Sequence, residues 1–227
     1  MKITAIIPAA GDGERFGEKK QLKLLNGRPL IFHTIQPFVK SKLINEIIVV
    51  VPKDNVNQLN RDFKSTITSK KIEVVEGGKT RQQSVYNGLR ISDKESKLIC
   101  VHDGVRPFVS LALIEKVIKA SMEHDGAILA APSTDTMKKV MADQILETLP
   151  REIIWRAQTP QVFSKPALKE AIQIAIDENL EGTDEASILE NIGYQIGFVE
   201  SSSLNIKITT KEDWIFAKAI YNELNDD

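Results

Sequence analysis

At 227 residues the chain is long enough to bury a full hydrophobic core without disulfides or a structural metal. Its 42% hydrophobic and 27% charged content is that of an ordinary globular protein, and a formal net charge of −1 excludes the broad basic field that marks nucleic-acid binders. No apolar run approaches the roughly 20 residues needed to cross a bilayer, and Lys2 is followed only by Ile3–Ile7 before Pro8-Ala9, which does not make a secretory signal. A cytoplasmic protein with neither nucleic acid nor membrane as partner is expected.

Lys2–Ile7 reads as a buried strand that opens, after Pro8, into Ala9-Ala10-Gly11-Asp12-Gly13-Glu14-Arg15-Phe16-Gly17-Glu18-Lys19-Lys20-Gln21. Glycines let backbone N–H groups approach an anion, and Arg15, Lys19 and Lys20 add mobile positive charge. That combination suits a triphosphate; an ordinary strand-to-helix turn accounts for the glycines but not for the three cations. The loop is not a P-loop, because the only Gly-Lys-Thr, Gly78-Lys79-Thr80, has no Gly at the required distance before it. It is a poor dinucleotide fingerprint too, with Phe16 where the third Gly belongs and no acidic residue closing the second strand.

Pro29 stands at the first turn of an expected helix Leu30–Val39, where a missing N–H costs nothing. Ile47–Val51 reads as a strand, Asp54–Arg61 as a helix and Ile72–Val75 as a strand. The last runs into Glu76-Gly77-Gly78-Lys79-Thr80-Arg81-Gln82-Gln83-Ser84, where Thr80 caps a helix with Val85 and Leu89 on one face. Leu98–Val101 is a strand holding the lone cysteine, Cys100, which reads as a buried residue without a partner for a thiolate. It ends in His102-Asp103-Gly104-Val105-Arg106-Pro107. Ser110 caps a helix Leu111–His124, and Ile128–Ala131 is a strand.

Thr136–Val140 and Ile145–Thr148 then form a hairpin about Ala142-Asp143. It has too little apolar surface to stand alone, so a second subunit is its expected cover. Gln161–Phe163, a helix Pro166–Asp177, a helix Asp184–Asn191, a strand near Gln195–Val199 and the run Ile206–Thr209 follow. Thr210 caps the last helix, with Trp214, Ala217, Ile220 and Tyr221 along one face. No repeat or linker divides the chain, so a single domain over 1–227 is expected, with an arm insertion at about 133–155.

Strands alternating with helices give an α/β sheet, mostly parallel, with helices on both faces. Ligands of such sheets bind beyond the carboxyl ends of the strands, which gathers the Arg15/Lys20 loop, Gly78–Ser84 and Asp103 into one site. Asp103, at a strand end beside Gly104, reads as the single carboxylate of a Mg²⁺ site completed by phosphate, or as a turn cap. His102 reads as a general base or as a polar wall, and Asp184-Glu185 as helix N-terminal charge.

The ordered set Pro8-Ala9-Ala10-Gly11-x-Gly13-x-Arg15, Lys20-Gln21, Gly77-Gly78-x-x-Arg81-x-x-Ser84-Val85, Val101-His102-Asp103-x-x-Arg106-Pro107, Ala131-Pro132-x-x-Asp135-Thr136-Met137-Lys138, Thr159-Pro160-Gln161-x-Phe163, Thr183-Asp184-Glu185-Ala186-Ser187 and Asn205-Ile206-Lys207-Ile208-Thr209 resembles the 2-C-methyl-D-erythritol 4-phosphate cytidylyltransferases over essentially the whole chain. The resemblance implies a Rossmann-like nucleotidyltransferase fold, similar to glycosyltransferase A, with a protruding β-hairpin arm. It implies that CTP and a sugar-alcohol phosphate give a CDP-alcohol and pyrophosphate with Mg²⁺, in the non-mevalonate isoprenoid pathway. Arg15 and Lys20 would stabilise charge on the triphosphate. Backbone at Ala9, Ala10, Gly11, Gly78 and Ser84 would hold cytosine and ribose, with Arg81, Gly104 and Arg106 beside them and Asp103 on the metal side. Lys207 and Arg151, with Thr136 nearby, would place the attacking phosphate, Arg151 from the other subunit of a homodimer.

Two departures stand out: Lys19 replaces the family's usual Pro, so that it could share the role of Lys20, and Gly104-Val105 replaces small Ala residues, with Val105 set to narrow the wall. Ribitol-5-phosphate cytidylyltransferases share several of these motifs, but Ala9-Ala10-Gly11 and Trp155–Pro160 follow the erythritol-phosphate pattern. A non-catalytic CTP-binding protein is a further alternative, opposed by Arg15, Lys20, Asp103, Arg151 and Lys207 all being present.

Overall fold

A computed structural model of the chain describes residues 1–11, 13 and 16–225. The elements are β1 (Lys2–Pro8), β2 (Leu24–Leu25), β3 (Arg28–Pro29), α1 (Leu30–Lys40), β4 (Glu46–Val51), α2 (Val56–Thr66), β5 (Lys71–Glu76), α3 (Arg81–Ile91), β6 (Ser96–Val101), α4 (Leu111–Ala120), β7 (Gly126–Pro132), β8 (Lys138–Met141), β9 (Gln144–Thr148), β10 (Trp155–Ser164), α5 (Lys165–Asp177), α6 (Glu185–Asn191), β11 (Ile196–Glu200) and α7 (Lys211–Asn225). Seven strands form one sheet in the order β11-β7-β10-β6-β1-β4-β5. Every pair in it is parallel except those of β10, which runs antiparallel to both β6 and β7.

The period-two alternation of the central strands sends apolar residues to both faces, which is why their sequences read as near-continuous hydrophobic runs. Ile7, Ile47, Val49 and Cys100 point into a core covered by Ile31, Ile35 and Phe38 of α1, Phe63 of α2 and Val117 of α4. Ile6, Ile48, Val50 and Val101 point the other way, under Val85 and Leu89 of α3, Leu168 and Ile172 of α5 and Leu189 of α6. Cys100 is fully buried in its strand, and burial pushes its thiol far above the usual range.

The helix starts follow the expected chemistry. Thr80 accepts from Gln83 N–H, Ser110 from Leu113 N–H and Ser164 from Ala167 N–H. Thr210 Oγ1 accepts from Asp213 N–H at the start of α7. Several boundaries differ from expectation. Helix α1 starts at Leu30 as expected and runs one residue further, to Lys40, with Pro29 as its N-cap; Asn26 (φ 45°) and Gly27 (φ 75°) turn an unexpected small β2–β3 hairpin immediately before it. Helix α2 runs on to Thr66, since Phe63 still buries, whereas α4 stops at Ala120. Ile206–Thr209 belongs to no strand and is held by isolated backbone and side-chain bonds instead. Strand β10 begins at Trp155, six residues before the expected Gln161. Pro160 has no N–H for the ladder, and the register with β7 shifts between Gln158 and Gln161.

The β8–β9 hairpin exists and turns at Ala142 (φ 51°) and Asp143. All its residues are exposed, with Met141 67%, Ile145 65% and Val140 63% accessible. No described helix is long and apolar enough to cross a membrane.

Candidate active site

The chain runs β1, β4, β5 outward on one side of the sheet and then returns to β6 on the other side of β1. That reversal opens a crevice beyond the carboxyl ends of β1 and β6. A cleft of about 500 Å³ occupies it.

Its first wall is the loop after β1. Ala9 N–H donates to the Val50 carbonyl at 2.7 Å as the backbone leaves the sheet. Gly13 has φ 74°, and a Cβ there would fall 2.0 Å from the Glu18 carbonyl oxygen, so the loop closes on itself only with glycine. Phe16, 2% exposed, inserts into a small apolar cluster with Leu30 and Ile208 and meets Trp214 edge-on at 5.9 Å. The buried Gln21 donates from Nε2 to the Gly11 carbonyl at 3.1 Å. The loop is thus tied down at both ends, with Ala9, Ala10, Gly11 and Lys20 lining the cleft. Lys19 does not line it; Arg15 lies outside the described residues.

The second wall follows β5. A Cβ on Gly77 would come 2.2 Å from Ala10 Cβ, so these two loops touch. Gly78 N–H donates to Ser84 Oγ at 3.0 Å, and that hydroxyl donates to the Thr80 carbonyl at 3.0 Å. Gly78, Arg81 and Ser84 line the cleft.

The third wall follows β6. Gly104 N–H donates to the Pro8 carbonyl at 3.0 Å, and a Cβ on Gly104 would lie 2.6 Å from Ala9 Cβ, so this chain needs glycine for that approach. Val105 lines the cleft, as the departure from alanine suggested. Asp103, its side chain 7% exposed, receives three cations: Arg81 Nε at 3.0 Å on Oδ1, with Arg106 Nε at 3.2 Å and Lys207 Nζ at 3.1 Å on Oδ2. Burial alone would raise its pKa, but Arg81, Lys207 and Arg106 outweigh burial and hold the carboxyl well below the usual range. Arg106, buried, also donates to the Asn205 carbonyl at 2.8 Å. Asn205 Nδ2 donates in turn to Gln158 Oε1 and the Thr159 carbonyl, each at 2.9 Å. These bonds, with Ile208 N–H to the Val105 carbonyl at 3.0 Å, place Lys207 without a strand. A smaller pocket of about 220 Å³ adjoins on this side, sharing Arg81, Asp103 and Lys207 and adding Arg106, Thr183 and Asp184.

His102 is fully buried behind Asp103, with its ring against Phe38 at 4.9 Å. It reaches neither pocket, which removes the general-base reading. Nε2 lies 2.9 Å from the Arg106 carbonyl and must donate there. Burial lowers the pKa to about 4, so the ring is neutral and Nδ1 accepts from the Thr159 hydroxyl at 3.0 Å. That hydroxyl accepts from Asp103 N–H at 3.0 Å. The imidazole therefore fixes the backbone that carries Asp103.

Thr136 and Arg151 line neither pocket of their own chain. Both are exposed, at the root of the arm, where Ser133 N–H donates to the Ile154 carbonyl at 3.0 Å. The residue that motif reading missed is Glu185. Asp184 is indeed a helix cap, but Glu185 is 1% exposed and takes Arg81 Nη1 at 2.7 Å. Among the described residues no three His, Cys, Asp or Glu side chains group to hold a metal.

The chain matches the family model "2-C-methyl-D-erythritol 4-phosphate cytidylyltransferase" over residues 3–223. It is 39% identical over 232 residues to a protein of that name from Geotalea uraniireducens, with both chains covered in full. The crystal structure of 4-diphosphocytidyl-2C-methyl-D-erythritol synthase from Anaerococcus prevotii superimposes with a TM-score of 0.87 at 33% identity, covering 97% of this chain and 98% of that one. The 2-C-methyl-D-erythritol 4-phosphate cytidylyltransferase of Francisella tularensis gives 0.82 at 34% identity, covering 97% of this chain and 100% of that one.

The imidazole's environment sets a pH dependence. An unfolded histidine takes up a proton below about 6.5, and the folded one only below about 4. The unfolded state binds more protons across that window, so stability falls on acidification through it, by up to about 3 kcal/mol from this group. Urea midpoints from pH 7 to 4.5 should show the slope, and His102→Asn should flatten it from a lower starting stability. An equal slope in the variant would assign the effect to other groups.

Proposed function

Because the chain belongs to the 2-C-methyl-D-erythritol 4-phosphate cytidylyltransferase family, we propose how its own residues divide the family's reaction, in which CTP and the methylerythritol phosphate give 4-diphosphocytidyl-2-C-methyl-D-erythritol and pyrophosphate. A phosphate oxygen of the alcohol phosphate attacks the α-phosphorus of CTP, the α–β anhydride bond breaks, and pyrophosphate leaves with the electron pair. The protein's share is positioning and charge stabilisation. The observation that carries the assignment is the convergence of glycine-bearing backbone, Lys20, Arg81 and Lys207 around the buried Asp103 in one cleft.

Backbone at Ala9, Ala10, Gly11 and Gly78, with Ser84, takes cytosine and ribose, Gly104 supporting Ala9 from behind. Lys20 is assigned to the triphosphate and Lys207 to the incoming phosphate, with Arg106 holding the loop from which Lys207 projects; Arg15, outside the described residues, joins Lys20 on the motif alone. We propose Mg²⁺ as the divalent cation: Asp103 is the one carboxylate among the described residues that line the cleft and so the candidate protein ligand, but its three cations oppose a second positive charge, so triphosphate oxygens and water would supply most of the shell. Such an ion would neutralise and orient the triphosphate.

Arg151 and Thr136 are proposed to serve the cleft of a second copy in a homodimer, the arm crossing between subunits. The exposed Met141, Ile145 and Ile153 (74% accessible) on and beside the arm support that cover. We further take the chain to act as one nucleotidyltransferase unit in the cytoplasm, with its single cysteine unpaired.

Pyrophosphate release with CTP and Mg²⁺ should occur with methylerythritol phosphate and not with ribitol phosphate; the reverse preference would overturn the acceptor. Lys20→Ala should lower kcat by about 10²–10³-fold with CTP still bound, and unchanged turnover would remove Lys20 from the chemistry. Asp103→Asn should raise the Mg²⁺ concentration for half-maximal turnover at least about ten-fold, while an unaltered metal dependence would withdraw Asp103 as ligand. Equal mixing of Arg151→Ala and Lys20→Ala chains should restore about a quarter of wild-type activity, because half the dimers are mixed and each holds one intact site. No recovery in demonstrated mixed dimers would place Arg151 on its own subunit's site.

A further inference from the structure

Two aromatic side chains beside the cleft have no task in the reaction as described. Phe16 is the only apolar side chain between Gly11 and Lys20, and so the hydrophobic anchor available to that stretch of the loop after β1. It is 2% exposed, and Trp214, 7% exposed on α7, meets its ring edge-on at 5.9 Å. Neither lines the cleft or the pocket beside it, and neither belongs to the cores on the two faces of the sheet. They form a cluster of their own with Leu25, Leu30, Ile208 and Ala217, flanked by Ile206. Lys23 covers both rings: its Nζ lies 5.6 Å from the Phe16 centroid and 5.4 Å from that of Trp214, and it pairs with Glu18 of the loop itself.

This cluster holds two segments that the chemistry needs. In the loop, Phe16 N–H and Gly17 N–H both donate to the Gly13 carbonyl at 2.8 Å, and Lys20 N–H donates to the Glu18 carbonyl at 2.8 Å. Burial of Phe16 therefore seats a tight turn that leads directly to Lys20 at the cleft. On the other side, Ile206 and Ile208 enter the cluster, and Lys207 between them reaches Asp103 at 3.1 Å. The first turn of α7 locks that segment from behind. Asp213 Oδ2 accepts from Thr209 N–H at 2.7 Å, from Thr209 Oγ1 at 2.7 Å and from Thr210 N–H at 2.8 Å. Trp214 is the next residue. One helical turn thus fastens the segment that carries Lys207 and, through the adjacent indole, seats the loop that carries Lys20.

We propose that Trp214 is a positioning residue for phosphoryl transfer, setting Lys20 through Phe16 and Lys207 through Ile208, so that the cations for the triphosphate and for the incoming phosphate are placed by one aromatic cluster. The inference rests on the reading of Lys20 and Lys207 given above. Cytosine and ribose are assigned to backbone held by other means: Ala9 N–H is bonded to the Val50 carbonyl, Gly78 N–H to Ser84, and Gly77 and Gly104 pack on Ala10 and Ala9. Loosening the cluster therefore spares nucleotide binding and misplaces the two ammonium groups against the reacting phosphates. A displacement of about 1 Å is enough to cost about a hundred-fold in rate.

The experiment is W214A with W214F beside it, each assayed well below its thermal midpoint. W214A should lose about ten- to a hundred-fold in kcat while its KM for CTP stays within about three-fold of wild type. W214F keeps a ring against Phe16 and should return kcat to within about three-fold of wild type. Unchanged kcat in a folded W214A, a rise in the KM for CTP alone, or a W214F as slow as W214A overturns the proposal. Should W214A fail to fold, F16A decides, because Phe16 lies in a loop outside the cores of the sheet. Residues that act as one unit do not add, so F16A should cost several-fold less in a K20A background than in wild type. An equal fold-loss in both backgrounds makes Phe16 a packing residue and overturns the proposal. If K20A itself turns over normally, the reading of Lys20 fails separately, and the kcat–KM split of W214A still decides Trp214.

Discussion

The site hangs on one desolvated carboxylate. Asp103 is buried among Arg81, Arg106 and Lys207, and those cations come from the start of α3, the turn after β6 and the segment before α7. A buried charge is tolerated only when it is paired and hydrogen-bonded, and removing a partner from such a cluster costs about 3–5 kcal/mol. The cluster therefore fixes the mutual placement of three chain segments that share no regular hydrogen-bond ladder. This is how Lys207 can be presented accurately from a segment, Ile206–Thr209, that is neither helix nor strand. Its neighbours do the holding: Asn205 to Gln158 and Thr159, and Ile208 to Val105.

The sheet supplies the other half of the constraint. Reversal of strand order at β1 leaves the crevice, and three loops must then approach one another closely at its rim. Gly77 against Ala10 and Gly104 against Ala9 are the two points where a methyl group would drive them apart. Ala9 and Ala10 are small for the same reason. The Pro-Ala-Ala-Gly run is as much a packing requirement between loops as a provision for phosphate, and these two demands fall on the same residues.

The parts of this arrangement that depend on local periodicity or capping were legible in the sequence. β1, β4, β5, β6 and β7 follow from apolar runs, α3 and α4 from Thr80 and Ser110, and the carboxyl-end rule gathers Lys20, Gly78, Ser84 and Asp103, while Lys207 joins them through the family resemblance alone. What escaped depends on distant pairing. Strand β10 carries polar Gln158, Thr159 and Gln161, buried by side-chain bonds to remote segments and not by hydrophobicity. Glu185 looked like a helix N-terminal charge because its neighbour Asp184 is one; its partner Arg81 lies 104 residues away. The β2–β3 hairpin is a different case, since Asn26-Gly27 is a strong turn signal that the strand length of two residues obscured.

The three cations around Asp103 differ in their freedom to move. The Arg106 side chain is 10% exposed and spends a second bond on the Asn205 carbonyl; Arg81 is 28% exposed and is shared with Glu185. Lys207 is 39% exposed, and its ammonium sits on a flexible stem. When an anion enters the cleft, the two arginines have structural bonds to lose and Lys207 has one ion pair to exchange. The cluster thus separates a fixed part, which keeps Asp103 oriented in the absence of substrate, from a movable part that can follow the incoming phosphate. Pre-neutralised cations on rigid elements need little reorganisation during reaction, and the arginines provide that rigidity. The exchange is left to the residue whose departure leaves Asp103 still paired by Arg81 and Arg106.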